Sequence, residues 1–373
     1  MNKLNIITAI PANVRAGSGC YVGTRTLAEG LRGLGIAVGI VRPRIVLPVF
    51  AATRILFNET LQWRNVNADI TAGIDADGYT VDRSPRSVPH VACIKGVLGD
   101  AVRFEMGITR ANMAFQSKLE AKHARGADLV ITISRYCAER IEELYGVRGA
   151  VVVPELIDLD YWRRLFRADP AAPDPGKFVV LSVCRFYPRK RLDLLLQAAA
   201  RLRQTIPRLE VRIVGNGPER DRLRHLWREL RLEKIVRWLG DLSDSRLAGE
   251  YNRADVFCLP SVQEGFGIVF LEAMAAGKAI VAARAAAIPE VVRNGLLVEP
   301  ANPEALAEAI ECLYRDAGLR QSLGTAGLRD VEAFEMNRVA TRFLAEIVKV
   351  APVLRRTMHS MTISATEVST QRG

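Results

Sequence analysis

The stretch EGFGIVFLEAMAAGKAIVA, Glu264 to Ala282, sets two carboxylates, Glu264 and Glu272, eight positions apart around a Gly-Phe-Gly turn. Before it, ADVFCLPS (Ala254 to Ser261) is an apolar run of strand length closed by Pro and Ser, while LEAMAAG has helical composition and a terminal Gly. Glu264 therefore stands where a strand gives way to a helix. With the helix starting near Gly267, a rise of ~1.5 Å per residue puts the carboxylates on the order of 10 Å apart. That is wide for an acid and a nucleophile sharing one glycosidic bond, which sit at ~5 Å. It suits two hydroxyl-rich ends of one ligand, with the backbone N–H groups of Gly265, Phe266 and Gly267 and the helix N-terminus turned to an anion between them. Ribose, diphosphate and hexose in a nucleotide sugar have that layout. The plainer alternative is a Glu that favours the helix macrodipole and a second on a solvated face.

On these residues the chain resembles the retaining glycosyltransferases of family 4, whose E-x7-E motif in a GT-B fold matches Glu264 through Glu272. The likeness extends over most of the C-terminal half, through VVLSVCRFYPRKRLDLLLQAAARL (179–202), VRIVGNGPERDRL (211–223), WLGDLSDSRLAGEYNRADVFCLPS (238–261) and IPEVVRNGLLVEPANPEALAEAI (288–310). The resemblance implies that Glu264 holds sugar hydroxyls and Glu272 the ribose. It implies transfer of a hexose from a UDP- or GDP-linked donor to an acceptor hydroxyl with retention, without a metal or other cofactor, in cell-envelope glycan or glycolipid synthesis. Two departures touch the donor pocket: Ala285, Ala286 and Ala287 stand where the family often has glycines, and Arg293 to Gly295 is short.

At 373 residues with 49% hydrophobic side chains, the chain accommodates two domains around buried sheets. NIITAI after Lys3 is too short for a signal sequence, and the most apolar candidate span, IVLPVFAATRILF, is broken by Pro48 and Arg54, so a cytoplasmic protein is expected. The six cysteines contain no C-x-x-C pair and read as small core residues, which argues against a zinc site. A net charge of +11 favours an acidic partner. Arg220 to Trp238 and Tyr161 to Arg167 interleave Arg with Trp, Leu and Phe, a pattern suited to anionic lipid on the inner face of the cell membrane, less so to nucleic acid, or to a solvated helix face.

Strand-like and helix-like segments alternate through both halves, the rhythm of parallel α/β sheets. ADPAAPDPG (168–176) cannot extend a helix or sit in a central strand. The expected organisation is α/β, two Rossmann-like domains facing across a cleft: 1–168 on the acceptor side, a linker at 169–177, and 178–336 binding the nucleotide sugar. By resemblance, a helix at 337–356 crosses back to the first domain; 357–373 reads as a disordered tail.

Breaking the bond to a nucleoside diphosphate builds negative charge on the departing phosphate, which fixed cations neutralise without a metal. Arg185 and Lys190 leave the strand FVVLSVC on one loop before LDLLLQAAARL and resemble the family's diphosphate-holding pair, the register being open because Arg189 and Arg191 flank Lys190. The turns at Gly215 and Gly217 and at Gly240 line the nucleotide pocket in the family; on physics alone they are turns. Gly17, Ser18 and Gly19 resemble its Gly-Gly loop in the first domain, although G-x-G-x-x-x-G is a poor dinucleotide fingerprint. Asp158-Leu159-Asp160 spells a D-x-D that would hold a divalent metal in a different transferase fold.

Many family members carry a His where the first-domain strand faces the donor sugar. In HVACIKG, His90 opens the strand, and five residues at ~3.3 Å put it ~16 Å from Lys95. Lys95 is therefore expected to take that catalytic place, the alternative being a surface Lys at a strand end. Two rival functions remain at this stage: a nucleotide-sugar epimerase of the same fold, for which only His90, His123, His225 and His359 could serve, and a non-catalytic sugar-nucleotide or nucleic-acid binder.

Overall fold

The computed structural model describes residues 2–10, 19–61, 67–81, 88–170 and 176–354. They fall into two compact units, one built from Thr24–Glu155 with 2–10 and 336–354, the other from Leu156–Glu335 with 19–23.

The first unit holds a parallel sheet of β1 (Lys3–Ile7), β2 (Ala37–Val41), β3 (Ile70–Ile74), β4 (His90–Ile94), β5 (Leu129–Thr132) and β6 (Val151–Val152), in the order β2-β1-β3-β4-β5-β6. ITAGI and HVACI are buried at every position, because helices cover both faces of a parallel sheet and no alternate row is left to water. The helices are α1 (Gly19–Gly33), α2 (Phe50–Leu61), α3 (Leu98–Ala101), α4 (Gly107–Gly126) and α5 (Arg135–Tyr145). Ser134 caps α5 through Cys137 N–H, and Gly146 ends it in the left-handed region.

The second unit holds β7 (Phe178–Val183), β8 (Leu209–Val214), β9 (Val236–Gly240), β10 (Val256–Leu259), β11 (Ala279–Ala283) and β12 (Leu296–Val298), in the order β12-β11-β10-β7-β8-β9. Its helices are α6 (Leu159–Ala168), α7 (Leu192–Leu202), α8 (Arg220–Glu229), α9 (Asp244–Arg253), α10 (Ile268–Ala275), α11 (Ile288–Val291), α12 (Pro303–Arg315) and α13 (Ala317–Asp330). The chain runs outward from β7 through β8 to β9, then returns to lay β10, β11 and β12 on the other side of β7. The strand order thus reverses between β7 and β10, the place where open α/β sheets bind ligands beyond their carboxyl ends.

Two expected boundaries move. Residues 156–168, expected with the first domain, belong to the second unit. There Tyr161 donates to Asp244 Oδ2 at 2.9 Å, and Asn252 donates to the Phe166 carbonyl at 2.9 Å, fastening α6 to α9. The last helix, α14 (Met336–Val350), clusters with the first unit but stops short of 356, because Pro352 cannot supply the N–H that another turn requires. The expected tail at 357–373 lies outside the described residues.

At Ala286, φ is +49°, so an Ala occupies the left-handed region in the turn where the resembled family often has glycine. That conformation costs an L-residue roughly 1–2 kcal/mol, partly offset by the ~0.5–1 kcal/mol of extra chain entropy that Gly loses on folding. Ala286→Gly is expected to be neutral to stabilising by about 1 kcal/mol in urea unfolding, whereas Ala283→Gly, inside β11, destabilises. A loss at both positions would show that the turn is unstrained.

Candidate functional site

The switch point between β7 and β10 makes neighbours of the loops 184–191 and 260–267, and a buried ion pair joins them. Lys190 Nζ bonds Glu264 Oε1, with Lys190 9% and Glu264 6% exposed. Lys190 ends a 3-10 turn (Pro188–Lys190), which Arg191 closes at φ +49° before α7 begins. The neighbouring carbonyl of Arg189 accepts Val262 N–H at 2.9 Å, so the two loops are tied through backbone as well. Burial alone would raise the Glu264 carboxyl; the charges of Lys190 and Arg189 outweigh it and hold the pKa below its ordinary value. Glu264 is therefore a buried, fixed anion. Its own carbonyl accepts Ala287 N–H at 3.2 Å, which brings the turn after β11 to the same edge.

Glu272 lies on the second turn of α10, 8% exposed, and its environment is the opposite one. Among the described residues no cation is paired with it. Tyr251 of α9, fully buried, donates to Glu272 Oε2 at 2.9 Å. Burial pushes the carboxyl up to about 7, against the lowering effect of the tyrosine bond. Tyr251 is itself held by three rings from two elements, Trp162 and Phe166 of α6 and Phe257 of β10, at centroid separations of 6.1, 6.5 and 5.9 Å. Nothing in the local sequence pointed to Tyr251, because it acts from a helix 21 residues upstream.

Between the two carboxylates, Gly267 caps α10 at φ +91°, and a Cβ there would come within 2.6 Å of the Phe270 ring. Only glycine lets the chain turn there without strain, at the N-terminus of α10, where the first N–H groups have no carbonyl of an earlier helical turn to bond. Phe266 points the other way: it is 4% exposed and packs edge-on against Phe334, 5.5 Å between centroids, so it anchors the turn from behind. Gly265 completes the loop between Glu264 and Phe266.

The loop after β8 crosses that after β7. Phe186 N–H donates to the Asn216 carbonyl at 3.0 Å and Glu219 N–H to the Phe186 carbonyl at 3.0 Å. Gly215, at φ +116°, permits the crossing, since a Cβ would stand 2.0 Å from the Cys184 carbonyl oxygen; Gly217 lies as closely against Phe186. Gly215 N–H also donates to the Gly240 carbonyl at 2.8 Å. Arg185, at the end of β7, is partly exposed and reaches Asp241, next to Gly240, at 3.6 Å. Arg185, Lys190, Gly215, Gly217, Gly240 and the 264–267 turn are thus assembled at one edge of one sheet, a basic and amide-rich rim beside two carboxylates in different protonation regimes.

The remaining expected residues lie elsewhere. Lys95 follows β4 but is a buried cation, bonded through Nζ to both Glu155 oxygens at 2.8 Å, while Asp75 accepts its backbone N–H at 2.8 Å. The charge expected to face a ligand is matched inside its own unit. His90 is buried at the start of β4, between Thr71 Oγ1 at 2.7 Å and His123 Nε2 at 2.8 Å. Gly17 and Ser18 lie outside the described residues; Gly19 opens α1. In the D-x-D, Asp158 caps α6 through Tyr161 N–H at 2.8 Å, and Asp160 is solvent-exposed near Arg163. Among the described residues no group of three or more His, Cys, Asp or Glu could hold a metal.

Two units, each on a parallel six-stranded sheet, make the architecture GT-B. Residues 166–330 match the family Glycosyl transferases group 1. Over 225 residues it is 30% identical to the GDP-mannose-dependent alpha-(1-6)-phosphatidylinositol monomannoside mannosyltransferase of Mycolicibacterium smegmatis, covering 54% of this chain and 56% of that protein. Over 246 residues it is 34% identical to the D-inositol 3-phosphate glycosyltransferase of Kribbella flavida, covering 61% and 57%. The matches span a little over half the length of these relatives. The solved structure of sucrose-phosphate synthase from Thermosynechococcus elongatus has the same fold, with a TM-score of 0.81 at 22% identity over 95% of this chain and 100% of that one.

Two measurements check the electrostatics. Removing one member of a buried pair strands the other charge, so Lys190→Met should lose about 3–5 kcal/mol in urea unfolding, and Lys190→Met with Glu264→Gln should regain much of it. For Glu272 the folded-state pKa is raised to about 7. The folded protein then holds a proton that the unfolded chain releases near 4.5, and stability falls as pH rises from about 4.5 to 7. Glu272→Gln should accordingly raise Tm at pH 8 and leave it nearly unchanged at pH 4. An equal shift at both values would place the carboxyl's titration elsewhere.

Proposed function

We propose that this chain transfers a hexose from a nucleoside-diphosphate sugar to an acceptor hydroxyl with retention of configuration and without a metal, working on a lipid-borne or envelope acceptor. The observation that carries the reading is the pair of carboxylates flanking the Gly-Phe-Gly turn, one an ion held by Lys190 and the other an uncharged-leaning group held by Tyr251. The lipid part draws on the relatives, one of which is named for a phosphatidylinositol monomannoside.

In this mechanism the diphosphate lies along the first N–H groups of α10 and the cations of the 184–191 loop, where the helix dipole and the fixed charges favour negative charge. Glu272, in its ionised form, accepts hydrogen bonds from the ribose hydroxyls. Glu264 accepts from hydroxyls of the hexose, and its bond to Lys190 fixes both groups relative to the anomeric carbon. As the bond from that carbon to the β-phosphate oxygen breaks, the growing phosphate charge is met by Lys190 and Arg185, which need not reorganise. The acceptor oxygen forms its new bond on the same face, and its proton passes to the departing phosphate oxygen. Among the described residues of the second unit, Glu264 and Glu272 flank the turn and no further carboxylate joins them, which favours this front-face path over a covalent intermediate. Lys95, in the first unit and bonded to Glu155, takes no part in these steps.

Glu264→Ala should abolish transfer and leave nucleoside diphosphate binding largely intact, while Glu272→Ala should weaken nucleotide binding itself. Calorimetry with UDP and GDP separates the two, and equal affinity losses would sink the assignment. Turnover should survive a chelator; inactivation by chelator that manganese or magnesium reverses would return the diphosphate charge to a metal. The anomer of the product, read by NMR, tests retention.

A further inference from the structure

The basic, aromatic-interleaved segments do not offer an apolar face to a membrane. In α6, Trp162 is buried and packs against Phe166 and Tyr251, and Trp238 packs against Phe186, so these rings serve the core and the exposed positions carry mostly charged side chains. Most of the large exposed apolar side chains are in the first unit instead. They concentrate in two segments that follow strand ends of one sheet: RPRIVLPVF (42–50), after β2, and the approach to α4 with its first turns.

In the first segment Ile45, Val46 and Val49 are 61%, 71% and 62% exposed. It is not loose chain: Leu47 N–H donates to Thr53 Oγ1 at 2.8 Å, and Thr53 Oγ1 donates back to the Leu47 carbonyl. In the second segment Met106 and Ile108 are 84% and 91% exposed, and residues 106–112 are exposed without interruption, so α4 begins with no side covered. One buried group joins the segments. Arg54 of α2 donates to Gln116 of α4 at 2.8 Å, and its guanidinium lies 4.9 Å from the centroid of the Phe50 ring; Phe115, beside Gln116, is exposed as well.

The charge around this surface has one sign. Residues 42–50 and 103–118 contain Arg42, Arg44, Arg103, Arg110 and Lys118 against a single acid, Glu105. The nearby Asp100 is buried and already bonded to Arg103 at 2.8 Å and to Tyr136 at 2.6 Å. Protruding apolar side chains ringed by Arg and Lys suit an interface where the apolar tips enter the acyl boundary and the cations meet phosphate headgroups. The core of a protein interface is depleted of charged residues, and the excess of cations around these apolar tips runs against that. Among the described residues no helix is long and apolar enough to cross a membrane, so contact of this kind would lie on the surface.

We propose that residues 44–50 together with the start of α4 form a docking surface for an anionic phospholipid bilayer, holding the carboxyl edge of the first sheet against the membrane that carries the acceptor. The proposal deepens the transferase reading and rests on it for the acceptor alone, because lipid contact itself needs no turnover.

The test is flotation of the full chain with vesicles of phosphatidylcholine alone or mixed with phosphatidylglycerol, at low and raised salt. The wild type should float with the mixed vesicles at low salt and dissociate as salt rises. Val46→Asp with Ile108→Asp, and separately Arg44→Glu with Arg110→Glu, should each lower the bound fraction at least tenfold, while Arg164→Glu with Arg228→Glu, on α6 and α8, should leave it unchanged. All these positions are solvent-facing, and calorimetry with UDP and GDP reports whether each variant keeps its donor site. The proposal is overturned if the patch variants bind like the wild type, if the α6 and α8 pair abolishes binding, or if the wild type binds no vesicles and light scattering shows a dimer that Val46→Asp with Ile108→Asp dissociates. Vesicle binding that behaves as expected in a protein without nucleotide affinity would refute the transferase reading and leave the surface standing.

Discussion

The Lys190–Glu264 pair ties two loops that are 74 residues apart in the chain and adjacent only because the strand order reverses between β7 and β10. Ions taken out of water cost several kcal/mol each in a protein interior, so such a pair persists where geometry returns most of that cost, and it stabilises folding weakly. What it supplies is position. With Lys190 held by Glu264, and the Arg189 carbonyl by Val262, the β7–α7 loop cannot shift without carrying the β10–α10 turn. Gly215 and Gly217 then let the β8–α8 loop close over Phe186. The candidate site is the common edge of three loops, each fastened to its neighbour.

Much of this was legible in the sequence because it follows from local chemistry. FVVLSVC, EVRIVG, DVFCLP and KAIVAA are mainly apolar runs of strand length, EVRIVG broken by Arg212, and a parallel sheet covered on both faces is what makes such runs strands. The Gly-Phe-Gly turn announced the start of α10 to within a residue. Tertiary partners were not legible. Tyr251 reaches Glu272 from another helix, Phe266 turns its ring to Phe334 rather than outward, and Lys95 finds Glu155 sixty residues later. A strand-end lysine with a buried carboxylate opposite reads like one without, since the pairing depends on where β6 leaves the sheet.

The basic segments failed for a related reason. A helix such as YWRRLFR alternates faces, and the sequence specifies that Arg and Trp lie on opposite sides without saying which side is covered. Docking α6 on α9 settles that question in favour of buried rings. IVLPVFAATRILF shows the converse: considered only as a membrane span and broken by Pro48 and Arg54, it divides in the fold into an exposed apolar loop and a helix. Arg54, the residue that interrupts the span, is buried against Asp77 and links α2 to α4.

Two carboxylates separated by the Gly-Phe-Gly turn and the first turn of α10 are thus placed in different electrostatic states by their supports. Glu264 keeps its charge because a cation shares its burial, and it can accept hydrogen bonds at any physiological pH. Glu272 has a phenol in place of a cation. At neutral pH it is divided between two forms, and only the ionised one can accept from both hydroxyls of a ribose. Under the proposed role, nucleotide binding would draw the proton from Glu272 and release it to solvent, so affinity should rise with pH through about 7 and the binding heat should depend on the ionisation enthalpy of the buffer. Tyr251→Phe removes the hydrogen bond that favours the ionised form and should move that dependence to higher pH; heats identical in phosphate and Tris would mean that Glu272 binds the nucleotide without changing its protonation.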